Sequence, residues 1–337
     1  MQESVLSPLE KRIIHALQVN PRAQWSELAP VLGAAPTTLA RHWDRLRAEG
    51  LAWTTAFLPS GIGALIDISC EPRHVAGAMT ALSEFPELIT IDHTAGQRDI
   101  IATAMTRSHQ EVGALVTRRI GAIPGVLRTQ THFVTAMHVE ASVWRMRALS
   151  ASEQARVPLP RPPRRRAPRL TAPEVEAALR EELPRDARVP VSRIAQAHGL
   201  SEQRVADGLA RMLADGDLIL RTDVARPVTG WPVYTWYFVS APAALIPRMA
   251  TLLRQVPEVR TAMSVASEHN LIMAVWLRDL SEVSRFEAAV EAALRGARIR
   301  DRGVVFSTAK HMGHHLDANG HATGVFTHPL AAPACTA

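Results

Sequence analysis

Lysine is almost missing from this chain of 337 residues: Lys11 and Lys310 are the only two, so nearly all the positive charge sits on arginine. The formal charge of +6 is therefore a weak pointer to an acidic partner, because a GC-rich genome also favours arginine, alanine and proline. Placement of the guanidinium groups has to decide. Cysteine is scarce too. Cys70 and Cys335 are too few for a disulfide framework and have no C-x-x-C spacing for a metal, which fits a reducing compartment. Long apolar runs are absent, since stretches such as Leu271 to Leu277 fall well short of a membrane span. The opening "MQESVLSPLEKR" has no charged-then-apolar signal pattern, so the expected location is the cytoplasm, with no membrane partner. A nucleophile elbow, a phosphate loop and a dinucleotide fingerprint are also missing; "GIGALI" lacks the full glycine pattern and leads into a strand. No catalytic residue, cofactor or metal site is expected. With 47% hydrophobic residues the chain can bury a sizeable core, divided over two or more domains.

What is present is a duplication. "SELAPVLGAAPTTLARHWDRLRAEG" (Ser26 to Gly50) aligns without gaps on "SRIAQAHGLSEQRVADGLARMLADG" (Ser192 to Gly216), and "LSEFPELIT" (Leu82 to Thr90) matches "LRQVPEVRT" (Leu253 to Thr261). Between the copies, Ser150 to Arg169 holds five prolines, six arginines and one acid. Such a composition predicts an extended, mobile spacer, with a non-specific phosphate-contacting strap as its functional alternative.

In the first copy "SPLEKRIIHALQVN" reads as a helix. Ser7 can cap it, Pro8 suits its first turn, Glu10 stands where a capping-box acid stands, and Ile13, Ile14 and Leu17 line one side. A second helix spans Trp25 to Leu32. Gly33 breaks the chain before a third from Pro36 to Glu49, which Gly50 stops. Three helices with a tight last turn predict a helix-turn-helix. After Gly50 the period shortens: "GALIDISC", "LITIDHT", "DIIATAMT" and "GVLRTQTHFVTAM" read as strands, with "PRHVAGAMTALSEF" and "SHQEVGALVTRRIG" as helices. The order strand, helix, strand, strand, helix, strand describes a ferredoxin-like α+β sandwich, whose bare sheet face the duplicated copy can cover. The expected divisions are a helix-turn-helix at 1–51, a sandwich at 52–140, a linker at 141–169, a degenerate helix-turn-helix at 170–218, a second sandwich at 219–325 and a tail at 326–337.

On the third helix Leu39, Trp43 and Leu46 share the side to be buried, while Thr37, Thr38, Arg41, His42 and Arg45 supply hydroxyls, a titratable ring and two permanent cations suited to phosphates and base edges. The positions of the second copy that match Thr38, Arg41, His42 and Arg45 carry Arg204, Asp207, Gly208 and Arg211. A carboxylate facing phosphate, and a glycine that weakens a helix by about 1 kcal/mol, make the second copy the poorer reader of DNA.

The helix-turn-helix opening with Leu6-Ser7-Pro8-Leu9-Glu10, joined by a short strand to a sandwich containing "TAGQRD", resembles the Lrp/AsnC transcriptional regulators, and the resemblance covers nearly the whole chain, twice. The tail "KHMGHHLDANGHATGV" is similar to the end of tandem regulators of this family from high-GC bacteria. The resemblance implies double-stranded DNA as partner and a sandwich, the RAM domain, that pairs through its sheet into homodimers or higher homo-oligomers. It also implies a small effector such as an amino acid, bound near Gly96, Gln97, Arg98 and Asp99. Read from residues alone, that turn is an ordinary hairpin, and only the resemblance makes it an effector site. The chain departs from the family in having His42 where an arginine is usual, and "SEHN" (Ser267 to Asn270) where the second copy should repeat the turn. The histidines at 311, 314, 315, 321 and 328 read as a surface tail, since no cysteine or acid completes a metal shell. A runner-up reading is an enzyme like the siroheme decarboxylases, which use the same tandem arrangement. "TGWPVYTWYF" (Thr229 to Phe238) is the nearest feature, although those aromatics also suit packing in a sheet and "SGIGALIDIS" lacks that family's His-Arg motif. A third reading is an effector-binding assembly protein whose DNA function has decayed.

Overall fold

The computed structural model describes residues 6–294 and 296–329. Residues 1–5 of the expected first domain, 330–337 of the expected tail and with them Cys335 lie outside that set.

The N-terminal trihelical unit comprises α1 (Pro8–Val19), α2 (Trp25–Leu32) and α3 (Pro36–Ala48). Ser7 and Glu10 form the capping box at the start of α1, satisfying two of the amides that a helix N-terminus leaves without partners. Ile13, Ile14, Leu17, Leu39, Trp43 and Leu46 meet in one core. Strand β1 (Ala52–Phe57) then leads into a sandwich of β2 (Ile62–Cys70), α4 (Val75–Ser83), β3 (Leu88–Thr94), β4 (Ile100–Thr106), α5 (His109–Ala114) and β5 (Val126–Val139). After a short helix α6 (Ala151–Ala155) the plan repeats. The second trihelical unit is α7 (Pro173–Glu182), α8 (Val191–Ala197) and α9 (Glu202–Asp215), followed by β6 (Ile219–Val224). The second sandwich is β7 (Val233–Ser240), α10 (Ile246–Leu253), β8 (Val259–Ala266), β9 (Leu271–Leu277), α11 (Glu282–Ala293) and β10 (Arg298–His311), with a final hairpin β11 (His314–Leu316) and β12 (Ala322–Phe326). No described helix is long and apolar enough to cross a membrane.

The two sandwiches share one continuous sheet. The first half of β5 pairs with β2 of its own sandwich and its second half with β8 of the other. Strand β10 does the same, with β7 and then β3. Eight strands thereby close a ring, which removes the unpaired edges that an open sheet exposes. Inside the ring Leu65, Ile101, Trp236, Phe238, Met263, Ile272 and Val305 pack sheet against sheet, and the helices cover the outer faces. Every residue of β9 is buried because both of its faces are covered.

The duplication is visible as a pseudo-two-fold axis. The offset of 166 residues that aligns Ser26 with Ser192 carries Arg22 onto Arg188. Arg22 donates to the carbonyls of Ala187 and Val189 (2.9 Å to Val189), and Arg188 reciprocates to Pro21 (2.6 Å) and Ala23 (3.1 Å). Strands β1 and β6 lie antiparallel about the same axis as a two-stranded ribbon, so β1 does not extend the first sandwich.

Two expectations are corrected. The expected linker at 141–169 is anchored to the fold, and its Ser150–Arg169 part is not an extended, mobile spacer throughout: Trp144, Leu149 and Val157 enter the core of the first trihelical unit, Ser150 caps α6, and Asn20 donates to the Pro158 carbonyl at 2.8 Å. Averaging composition over the twenty residues from Ser150 hid Val157, while Trp144 and Leu149 lie just before that window and are too sparse to show a period. The histidine-rich end is not a surface tail either. "DANGHATG" turns between β11 and β12, the Ala322 amide donates to the Gly50 carbonyl at 2.9 Å, and His314 is buried between the rings of Trp53 and Phe326. Burial pushes the His314 imidazole down to about 4, so it packs as a neutral ring.

Candidate nucleic-acid interface and effector turn

Helix α3 presents Thr37 and Arg41 to solvent, with Thr38 half-buried. Arg41 donates to no acceptor among the described residues. The other two basic groups of the predicted face are engaged within the fold by Glu10, which is only 2% exposed. His42 Nδ1 lies 2.9 Å from Glu10 Oε1, and the Arg45 guanidinium grips the same oxygen while also bonding Glu49 at 2.7 Å. The second carboxylate oxygen accepts from the Ser7 amide. One acid therefore caps α1 and locks α3 onto it. Burial alone raises the Glu10 carboxyl, but the hydrogen bonds from Arg45, His42 and Ser7 outweigh it and hold the group down at about 2. The folded value lies below the unfolded one, so this cluster stabilises the fold fully above about pH 4.5 and its contribution fades as pH falls toward about 2. Urea midpoints measured across that window are expected to fall more steeply for the parent than for Glu10→Gln, and parallel curves would remove the cluster from the acid response.

The turn between β3 and β4 divides by residue. Gly96, with φ +108°, and Gln97 are exposed. Arg98 is buried and turned inward: it bonds Asp67 at 2.8 Å and Asp301 of the second sandwich at 2.6 Å, and lies 3.9 Å above the Phe238 ring. Asp67 also meets His132 at 3.1 Å. Asp99 accepts from the Cys70 amide at 2.7 Å, and in the second copy Asn270 makes the matching bond to the Ala241 amide at 2.9 Å. Arg98 of the candidate effector turn thus joins the two sandwiches and Asp99 ties the turn to its own sandwich, roles that one-dimensional spacing could not indicate. Among the described residues no group of three His, Cys, Asp or Glu side chains could hold a metal ion.

Residues 6–47 match the AsnC-type helix-turn-helix domain, and residues 63–144 match the Lrp/AsnC ligand binding domain. The first copy is an Lrp/AsnC unit. Among curated proteins the chain is 27% identical over 143 residues to the HTH-type transcriptional regulator FL11 of Pyrococcus horikoshii, an alignment covering 41% of this chain and 94% of that one. It is 21% identical over 122 residues to the regulator Ptr1 of Methanocaldococcus jannaschii, covering 34% and 82%. The solved structure of the siroheme decarboxylase NirDL superposes with a TM-score of 0.59 at 12% identity, covering 90% of this chain and 93% of that one. At that identity the likeness is one of fold.

The second copy differs from the Lrp/AsnC unit where α3 and α9 diverge. Val175 and Gly208 occupy the places where Glu10 and His42 meet in the first copy, and they make an apolar contact instead. Gly208 is buried, not outward as its helical position suggested. Thr171 and Val175 crowd over it, and a Cβ there would fall 2.5 Å from Val175 Cγ1. Asp207 is clasped by Arg164 through two bonds of 2.9 and 2.6 Å, and Arg204 is paired with Glu174. The expected Asp207 carboxylate is therefore paired by an arginine of the inter-copy segment. Helix propensity favours Gly208→Ala by about 1 kcal/mol, but forcing a methyl group against a stiff valine costs about 1–3 kcal/mol. The expected net result is a lower urea midpoint, restored when Val175→Ala makes room; a more stable single variant would show that the contact yields.

Proposed function

We propose that the chain is a DNA-binding transcriptional regulator of Lrp/AsnC type, not an enzyme, and that it reads one half-site per chain through α3. The observation that carries this reading is Arg41: an exposed guanidinium without a partner among the described residues, one turn from Thr37, on the last helix of the matched helix-turn-helix. His42 and Arg45 set the helix against α1 and leave Thr37, Thr38 and Arg41 as the reading face. Helix α9, with Asp207 clasped and Gly208 covered, contributes little. Recognition of a two-fold operator then requires two chains, with half-sites about 34 Å or a multiple apart. A small effector, such as an amino acid, shifts the assembly between geometries that fit DNA differently, and the exposed Gly96 and Gln97 offer one point of contact.

Binding-site selection from random duplexes is the test. Enrichment of a near-palindromic motif, bound less tightly as salt rises, supports the reading; no enrichment, or an affinity indifferent to salt, defeats it. The fold likeness to a siroheme decarboxylase over 90% of the chain keeps one other reading in view, a tetrapyrrole enzyme. A visible absorption band in the purified protein, or loss of carboxylate from an added iron tetrapyrrole, would favour it.

A further inference from the structure

Beneath the β1–β6 ribbon, between the inner faces of the two sheets, lies a cavity of about 590 Å³. Its walls are largely aromatic and apolar, with Trp53, Trp236, Met263 and Trp276 among them, and its buried charge comes from Arg221 and Asp223 on β6 and Arg260 on β8. The three buried arginines among the described residues are not equivalent. Arg98 has Asp67 and Asp301, and Arg221 has Glu140 and Asp223, all within 3.0 Å. Arg260, 6% exposed, has no hydrogen-bond acceptor and no ion pair among the described residues. Its guanidinium carbon stands 4.0 Å from the centre of the Trp276 ring and 4.5 Å from that of Trp144. Burial draws its pKa down only to about 10, which leaves it charged at neutral pH.

Contact with two indoles stabilises the cation but supplies no acceptor to its N–H groups. A buried guanidinium with idle donors is costly unless something supplies an anionic acceptor. The cavity's volume falls in the range of small-molecule sites and exceeds what a free amino acid fills. We propose that this cavity is a ligand site for an organic anion, a carboxylate or sulfonate head carried on a broad aromatic body, with Arg260 as its counter-charge. The site is separate from the Gly96–Asp99 turn. Because Trp53 and Arg221 belong to the ribbon that joins both trihelical units to the sandwiches, an occupant bears directly on the relative placement of α3. That last step rests on the regulator reading; occupancy of the cavity does not.

The test uses the full chain without DNA and two fluorescent probes with the same ring body, 1-anilinonaphthalene-8-sulfonate and the uncharged N-phenyl-1-naphthylamine. The sulfonate is expected to saturate at one per chain and to bind wild type more tightly than the neutral probe. Arg260→Met should weaken the sulfonate about tenfold or more while leaving the neutral probe unchanged, and Arg260→Lys should retain most of the sulfonate's affinity. Ala274→Trp, which fills the cavity, should remove both probes while the circular dichroism spectrum stays native. Unsaturable sulfonate binding, no preference for the charged probe in wild type, or sulfonate binding indifferent to Arg260→Met or Ala274→Trp would each overturn the proposal. The wild-type comparison decides the matter even if a variant fails to fold. A chain that binds the sulfonate and selects no duplex sinks the regulator reading alone, and the converse result sinks only the cavity.

Discussion

Arg41→Ala is expected to cost about 1–3 kcal/mol of affinity for a selected duplex, while Asp207→Ala leaves that affinity within about twofold. The asymmetry follows from what each side chain touches. Arg41 has no partner among the described residues, so its removal leaves the fold intact and subtracts only what it gives to DNA. Asp207 is already paired with Arg164 on the helix that contributes little to the proposed reading, so its loss changes a surface that does not meet the duplex. Arg45→Ala is the instructive comparison. It too should weaken binding, but with a lowered thermal midpoint, because Glu10 loses a cation that fixes α3 against α1. Mobility shifts on one duplex, paired with melting curves, separate the two causes. Equal losses from Arg41→Ala and Asp207→Ala would end the assignment of α3 as sole reader.

Arg221→Met should destabilise the chain by about 3–5 kcal/mol, the largest stability effect expected of any single change here. Arg221 is buried on the ribbon and joins Asp223 at 2.9 Å to Glu140 at 3.0 Å. Its attraction keeps the Asp223 carboxyl ionised against a strong opposing push from burial, and the acid falls far below its usual range. Methionine matches the length of the arginine stem but leaves that buried carboxylate with only His311 and the more distant Arg260 for company. Denaturant unfolding measures the loss. Adding Asp223→Asn should recover part of it by removing the stranded charge, and a single variant as stable as the parent would show that water solvates the pair.

Local order was legible because its causes are local. Ser7, Pro8 and Glu10 announce α1 within four residues, the apolar spacing of Leu39, Trp43 and Leu46 announces α3, and alternation or short apolar runs mark the strands in the observed order. The same logic misled at Gly208, which helical position placed outward and packing buries beneath Thr171 and Val175. It misled again after Val139, where Trp144, Leu149 and Val157 are too sparse to show a period yet suffice to anchor the segment. In the candidate site, Thr37, Thr38 and Arg41 are where helical periodicity put them. The engagement of His42 and Arg45 was invisible, because Glu10 precedes them by more than thirty residues and already had a complete explanation as a capping acid.

The sequence by itself determined the elements, their repetition and the family of the first copy, since periods of 2 and 3.6, caps and a gapless internal alignment depend only on near neighbours in the chain. Only the tertiary structure decided which charges remain available. Closing eight strands into a ring brings Arg98 to Asp301 and seats Arg260 against two tryptophans 116 and 16 residues away, and Arg164 pairs the one carboxylate on the outward face of the second recognition helix. Burial and partnership are properties of that closure, and a side chain's charge acquires its effect only when the folded surroundings have either satisfied it or left it facing an empty space.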